Sequence, residues 1–140
     1  MPDQPPIPTV SVFLLCDQVI AETGTNKKSL IGMFDRLFVQ QLPALHLQPV
    51  WVFAKLTDAS GEYTFRVEIV KLESDKFIGR MVTPKSMIKD RLKPVDIVLR
   101  LPPFPLSELG TYEFQLFAND VWIGRTLLYV EKIEKRRAAP

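Results

Sequence analysis

The sequence predicts an all-β fold, an antiparallel β-sandwich of about seven to nine strands. Residues 62–72 alternate between apolar and polar side chains, which is the period of a half-buried antiparallel strand. Similar segments recur along the chain, and they are separated by the residues that favour turns: glycine, proline, asparagine and aspartate. No long amphipathic helix is predicted, whereas a parallel sheet would need such helices as crossovers.

The strands follow from these patterns in order. Before the last hairpin they are predicted at residues 10–20, 29–40, 50–57, 62–72, 77–82 and 94–101. Gly24 and Asn26 supply the positive φ angles of the first turn. Only residues 85–92 could be helical, and Pro84 and Pro94 limit that helix to about two turns. Alternation places one set of side chains in the core: Tyr63, Phe65, Val67, Ile69, Tyr112, Phe114 and Leu116.

The last two strands are predicted at residues 109–117 and 121–130, joined by a turn at residues 118–120. Gly110, Tyr112 and Phe114 form a Gly-x-Tyr-x-Phe pattern after a proline-rich crossing. This pattern resembles the last hairpin of an immunoglobulin-like β-sandwich. The resemblance implies that the Tyr112 hydroxyl bonds to backbone in residues 101–109 and that Gly110 permits the preceding turn. Phe114 stands where antibody domains carry a cysteine.

A second resemblance covers most of the chain. The segments Phe-Leu-Leu-Cys-Asp at residues 13–17 and Ser-Leu-Ile-Gly-Met-Phe-Asp at residues 29–35 carry it. Together they are similar to a group of small bacterial single-domain proteins of unknown function. This resemblance implies a single domain and no particular activity.

The 140 residues are expected to form one domain with ends of different composition. Residues 1–9 contain four prolines and are predicted to be a disordered lead-in, residues 10–133 the β-sandwich, and residues 134–140 a charged tail. The lead-in has no signal-peptide pattern, and the longest apolar run is far too short to cross a membrane. Cys16 is the single cysteine, which favours a reducing compartment. A cytoplasmic protein without a membrane partner is therefore expected.

Nucleic acid is an unlikely partner on charge grounds. The formal net charge is only +2, and acidic residues interrupt both basic clusters. One cluster surrounds the possible helical turn and the other lies at the C-terminus: Lys85, Lys89, Arg91 and Lys93, then Lys132, Lys135, Arg136 and Arg137. Solvated charge explains them better than phosphate binding does.

No enzyme, cofactor or metal site is predicted. His46 is the only histidine and lies in a loop-like stretch, so a general base would lack partners. Cys16 lies in an apolar strand, where burial raises a thiol pKa and makes the group inert. A calcium site from loop aspartates stays open as an alternative, although Asp58, Asp75 and Asp120 each stand alone and are explained as turn residues.

Apolar residues on both faces of two strands give the main functional prediction. Phe13 and Leu15 alternate with other apolar residues in the first strand, and Trp51 and Phe53 do so in the third. A two-layer fold leaves one face of each sheet wet, so such a second apolar face needs a cover. Residues 42–47 or 87–92 could fold over it. Otherwise these four side chains form an exposed patch that binds a protein partner or a second copy.

Two functions remain possible from the sequence. The first is a non-catalytic interaction module that acts through this patch. The alternative is a sandwich that binds a carbohydrate or another small molecule on an aromatic platform, either Trp51 or Trp122. Trp122, beside Asp120 in the last hairpin, has the better setting for a ligand. Sugar sites pair an aromatic ring with polar side chains, so the polar neighbours of each tryptophan should separate the two functions.

Overall fold

A computed structural model describes residues 4–45 and 49–133. Every regular element in these residues is a strand, which confirms the all-β class, and the helix considered at residues 85–92 is wrong. The strands are β1 Thr9–Ala21, β2 Lys28–Phe34, β3 Arg36–Val39, β4 Ala44–Leu45, β5 Val50–Thr57, β6 Gly61–Tyr63, β7 Phe65–Lys71, β8 Lys76–Val82, β9 Ser86–Ile88, β10 Val95–Leu101, β11 Pro105–Leu106, β12 Gly110–Ala118 and β13 Val121–Lys132.

Two large sheets account for nine of these strands. One sheet has four strands in the order β10-β5-β1-β2, and the other has five in the order β3-β13-β12-β7-β8. Short pairs β11-β4 and β6-β9 supplement them. All pairings are antiparallel except that of β3 with β13, which is parallel. The expectation of a purely antiparallel fold is therefore wrong at one sheet edge.

Two of the extra strands, β3 and β6, arise where the chain breaks a predicted strand, and β4, β9 and β11 lie between predicted strands. Residues 29–40 were predicted as one strand, but the chain leaves the four-stranded sheet after β2 and enters the five-stranded sheet as β3. Asp35 lies at this crossing, where its carbonyl accepts a hydrogen bond of 2.8 Å from the Tyr129 amide. Residues 62–72 are likewise interrupted at Thr64, whose amide N–H donates a 2.9 Å hydrogen bond to the side-chain oxygen of Asn119.

One large core lies between the inner faces of the two sheets. All seven side chains predicted to face a shared core are buried there. The four-stranded sheet contributes the other side of this core, chiefly through β5 and β10: Val50, Val52, Ala54, Leu56, Ile97, Leu99 and Leu101. Burial on this scale explains how the described residues form a folded domain without a helix or a disulfide.

The described part of the lead-in, residues 4–9, contacts the domain. The Tyr63 hydroxyl donates a 2.7 Å hydrogen bond to the Pro6 carbonyl, and Pro8 is buried. Gly61 has a φ of +117°, and a Cβ atom there would lie 3.2 Å from Pro5. The proline-rich segment therefore lies along the loop before β6. Residues 134–140, predicted as a charged tail, lie outside the described residues.

Candidate functional site

The four residues of the predicted patch lie on two different faces. Leu15 is buried in the shared core and Phe13 packs against it, whereas Phe53 and Trp51 belong to a second cluster. The pairing of β1 with β5 gives the reason, because it places Leu14 opposite Phe53. Paired residues share a face of a sheet, so Leu14 and Phe53 lie together and Phe13 points the other way. The prediction of one common face is wrong.

The second cluster lies on the outer face of the four-stranded sheet. Cys16, Val19 and Phe53 are buried in it, and other apolar side chains are partly buried around them: Val12, Leu14, Leu30, Trp51 and Val98. Val19 and Leu30 pair with each other in the end of the β1–β2 hairpin. Their presence in this cluster shows that the hairpin end, residues 18–31, packs on the outer face. We call this segment the strap.

An ion pair shows how far the strap curls back. Lys28, the first residue of β2, lies with its Nζ 2.8 Å from Oδ2 of Asp96, although β2 and β10 are opposite edges of the sheet. Asp96 of β10 and Val12 of β1 both pair with Lys55 of β5, so they lie in one row across the sheet. Lys28 instead pairs with Ala21, at the far end of β1. A straight β1 would separate those positions by about 30 Å. The chain must therefore bend back over the sheet.

The bend occurs at Asp17 and Gly32. Gly32 has a φ of +66°, and a Cβ atom there would lie 2.2 Å from an Asp17 carboxylate oxygen. β1 also stops pairing with β5 at Cys16, immediately before this point. The strap covers Phe53, which shares a cluster with Val19 and Leu30 and is only 6% exposed. Of the two segments predicted as covers, residues 87–92 do not fill this role, because Met87 and Leu92 are exposed. Residues 46 and 47 of the other segment lie outside the described residues.

The outer face of the five-stranded sheet is different, and we call it the open face. Strand register places Val82, Arg66, Phe117 and Trp122 in one row across β8, β7, β12 and β13, and Arg80, Glu68, Gln115 and Arg125 in the next. Trp122 is 53% exposed and Val82 is 50% exposed. Phe77, at the start of β8, is 54% exposed. Large apolar side chains therefore stand beside charged ones on a surface open to solvent.

Trp122 and Asp120, the predicted ligand platform, lie at one end of the open face. The indole N–H of Trp122 donates a 2.8 Å hydrogen bond to the Gly124 carbonyl, which fixes the ring. Asp120 accepts a hydrogen bond from Arg66, whose guanidinium lies 4.2 Å from the centre of the Phe117 ring. The structure thus brings the two predicted residues close to an arginine and a second aromatic ring.

The polar groups of the adjacent turn are occupied by the chain itself. Asn119 accepts a hydrogen bond from the Thr64 amide and donates one of 3.0 Å to the Glu62 carbonyl. Both Asn119 and Asp120 have positive φ angles, as a tight two-residue hairpin turn requires. These contacts explain the turn residues structurally and leave Trp122 with polar neighbours that are already engaged.

Sequence reasoning missed a buried carboxylate near the centre of the open face. Glu113 is buried, and Arg125 donates to it at 2.9 Å while Gln115 donates at 2.5 Å. Burial alone would raise the pKa of Glu113, but these two donors hold it below its ordinary value. Its position in the outward-facing set of a central strand predicted only a polar residue, not a buried one.

A second missed group surrounds the predicted tyrosine contact. The Tyr112 hydroxyl donates to the Glu108 carbonyl at 2.8 Å, within residues 101–109, which confirms that local prediction. Beside it, the buried Lys71 lies 2.6 Å from Glu73. Gly110 has a φ of +127° and approaches both charged groups so closely that a Cβ atom would lie 2.7 Å from each. Gly110, the second residue predicted to have a structural role, thus leaves space for the pair of Lys71 and Glu73.

Glu73 should contribute to the acid sensitivity of the fold. Hydrogen bonds from Lys71 and from the Thr111 amide lower the pKa of Glu73 from 4.5 to about 2. The folded-state pKa lies below the unfolded one, so this stabilisation is complete above pH 4.5 and disappears as the pH falls to about 2. We expect the urea midpoint of Glu73→Gln to fall less steeply than that of the parent as the pH is lowered from 4.5 to about 2. Glu131→Gln, on an exposed residue of β13, should preserve the decline, and equal slopes in all three proteins would contradict the assignment.

The residues first considered for catalysis or metal binding are not assembled into a site in the part of the chain that is described. Burial raises the pKa of the Cys16 thiol, and His46 lies outside the described residues. Asp58, Asp75 and Asp120 all have positive φ angles in turns, as expected of turn residues. Among residues 4–45 and 49–133, no three histidine, cysteine, aspartate or glutamate side chains group as metal ligands.

The basic cluster before β10 is partly paired with acids. Lys85 lies 3.4 Å from Glu62, and Arg91 lies 3.6 Å from Asp58. Both pairs are exposed, and such pairs contribute little to stability. Of the C-terminal cluster, only Lys132 falls within the described residues. No helix able to span a membrane occurs in the segments that the structure describes.

The comparisons with known proteins agree with the resemblance over most of the chain. No functionally curated protein matches the sequence. A family model described as a family of unknown function, DUF6941, matches residues 11–131. This match includes both large sheets apart from the ends of β1 and β13. The chain therefore belongs to the DUF6941 family of unknown function.

Proposed function

We propose that this chain is a non-catalytic interaction module that binds a second copy of itself through the open face. The observation that carries the proposal is the exposure of Trp122, Val82 and Phe77 on a sheet face that also bears charged side chains. Val82 and Trp122 lie at the two ends of one row across this face, with Arg66 and Phe117 between them, and exposed apolar side chains on one face commonly mark sites of protein interaction. This location replaces the patch around Trp51 and Phe53, which the strap covers.

The charge pattern favours a second copy as the partner. The open face carries Arg66, Arg80 and Arg125 together with Glu68, Glu113 and Asp120, so the two signs balance. Two copies related by a twofold axis present identical surfaces, and a balanced surface can meet itself without net repulsion. Several of these charges already pair within the chain, which reduces the number left unpaired on association.

Sedimentation of the full chain tests this proposal. We expect the parent to dimerise at concentrations up to about 100 μM, and Val82→Lys with Trp122→Ser to be monomeric throughout that range. Met87→Lys with Leu92→Ser changes apolar residues that are even more exposed but lie away from this face, and this variant should dimerise like the parent. A parent that stays monomeric, or a dimer insensitive to the open-face substitutions, would refute self-association through this face.

Binding of a carbohydrate or another small molecule is the alternative, favoured by the fixed and half-exposed ring of Trp122. The engaged polar groups of Asn119 and Asp120 weigh against it, since a sugar site needs free hydrogen-bonding partners. Quenching or shift of tryptophan fluorescence by a panel of oligosaccharides, lost in Trp122→Phe, would support this alternative in a monomeric parent.

We also propose a fold subtype and a cellular compartment for this domain. Two large sheets around one core and the Tyr112 contact support an immunoglobulin-like sandwich. The single, buried Cys16 supports a reducing compartment such as the bacterial cytoplasm.

A further inference from the structure

The strap, residues 18–31, is joined to the rest of the domain in a way that differs from every other hairpin described. Its ladder bonds run between its own two halves, from Gln18 opposite Ile31 to Ala21 opposite Lys28. The pairing of β1 with β5 ends at Cys16. Moving the strap as a unit therefore breaks none of the ladder bonds that hold the four-stranded sheet together.

Few contacts hold the strap down. Val19 is its one buried side chain, Leu30 is half-buried, and Lys28 bonds to Asp96. The opposite side of the same hairpin is exposed, including Ile20 and Ile31. A segment with little buried apolar surface and self-contained hydrogen bonds is the kind that opens at lower free energy than the whole domain.

We propose that the strap is a hinged cover that swings away from the sheet about Asp17 and Gly32 while the shared core stays folded. The positive φ of Gly32 and the gap in pairing at this point place the hinge. Opening uncovers an apolar surface made of Cys16, Trp51, Phe53 and Val98. This proposal is independent of the open face, which lies on the other sheet.

Cys16 reports on this motion because it is the only cysteine and is fully buried beneath the strap. A thiol reagent such as 5,5′-dithiobis(2-nitrobenzoic acid) should modify Cys16 in the native full chain faster than global unfolding permits. The rate should depend only weakly on urea below the unfolding transition, since opening exposes little surface. A urea dependence as steep as that of global unfolding would overturn the proposal.

Two adjacent substitutions separate strap opening from other fluctuations. Val19→Ala removes the buried contact and should raise the modification rate about tenfold or more. Ile20→Ala, on the exposed side of the same hairpin, should change it less than about twofold. Equal rates in the two variants would overturn the proposal.

A third variant keeps the test decisive if Val19→Ala destabilises the whole domain. Lys28→Met removes the ion pair with Asp96 and should raise the rate about two- to fivefold, with the global unfolding midpoint nearly unchanged. An unchanged modification rate in this variant would count against the strap as the moving element.

Discussion

Phe114→Ala should lower the free energy of unfolding by about 3–5 kcal/mol. Phe114 lies in the central strand β12, is fully buried, and meets the Phe104 ring edge to face at a centroid distance of 6.0 Å. Removing its ring leaves a cavity between two sheets that cannot close without losing their pairing. Urea denaturation followed by circular dichroism measures the change.

Phe77→Ala is the matched control, because it removes the same ring from an exposed position at the edge of the same sheet. Its expected effect is within about 0.5 kcal/mol. Similar losses for both variants would mean that the inner face of β12 does not supply the core.

Gly110→Ala should destabilise the fold by about 3 kcal/mol. At a φ of +127° an L-residue is strained, and the new methyl group would meet both Lys71 Nζ and Glu73 Oε1. Either the backbone moves or the ion pair separates, and separation leaves a buried lysine without its nearest carboxylate. Urea denaturation again measures the effect.

Gly79→Ala provides the comparison for this substitution. Gly79 lies in β8, and a Cβ atom there would have nothing within 4 Å. The change should be neutral or slightly stabilising, since it lowers the entropy of the unfolded chain. A loss in Gly110→Ala no greater than in Gly79→Ala would remove the argument for a required glycine.

The sequence predicts the strands and the inward set of β7 and β12 well, because alternation within one strand needs no knowledge of its neighbours. It does not predict which residues of separate strands share a face. That depends on register, and the observed register places Leu14 opposite Phe53, so that Phe13 and Leu15 lie on the other face. Which residues share a face is decided by the pairing between strands, and a single sequence does not show that pairing.

The bend of the strap and the burial of Lys71 each had a local indication in the sequence that the predictions from alternation overlooked. Gly32 interrupts a predicted strand, and an isolated glycine there often marks a bulge or close approach, so the bend of the strap had a trace in the sequence. Lys71 continues the inward series of Phe65, Val67 and Ile69, and its place in that series pointed to burial. Glu113, by contrast, is buried by neighbours on its own face, which no local pattern shows.

The parallel pairing of β3 with β13 has a consequence for how the chain can assemble. Arg36 pairs with Tyr129, so 129 − 36 = 93 residues separate the partners. During synthesis β3 leaves the ribosome long before β13, which is its one sheet neighbour among the described strands. Until then Leu37 and Val39, which pack on the core, have no completed sheet to join. Closure of this edge must therefore come late, and long-range pairing of this kind slows folding.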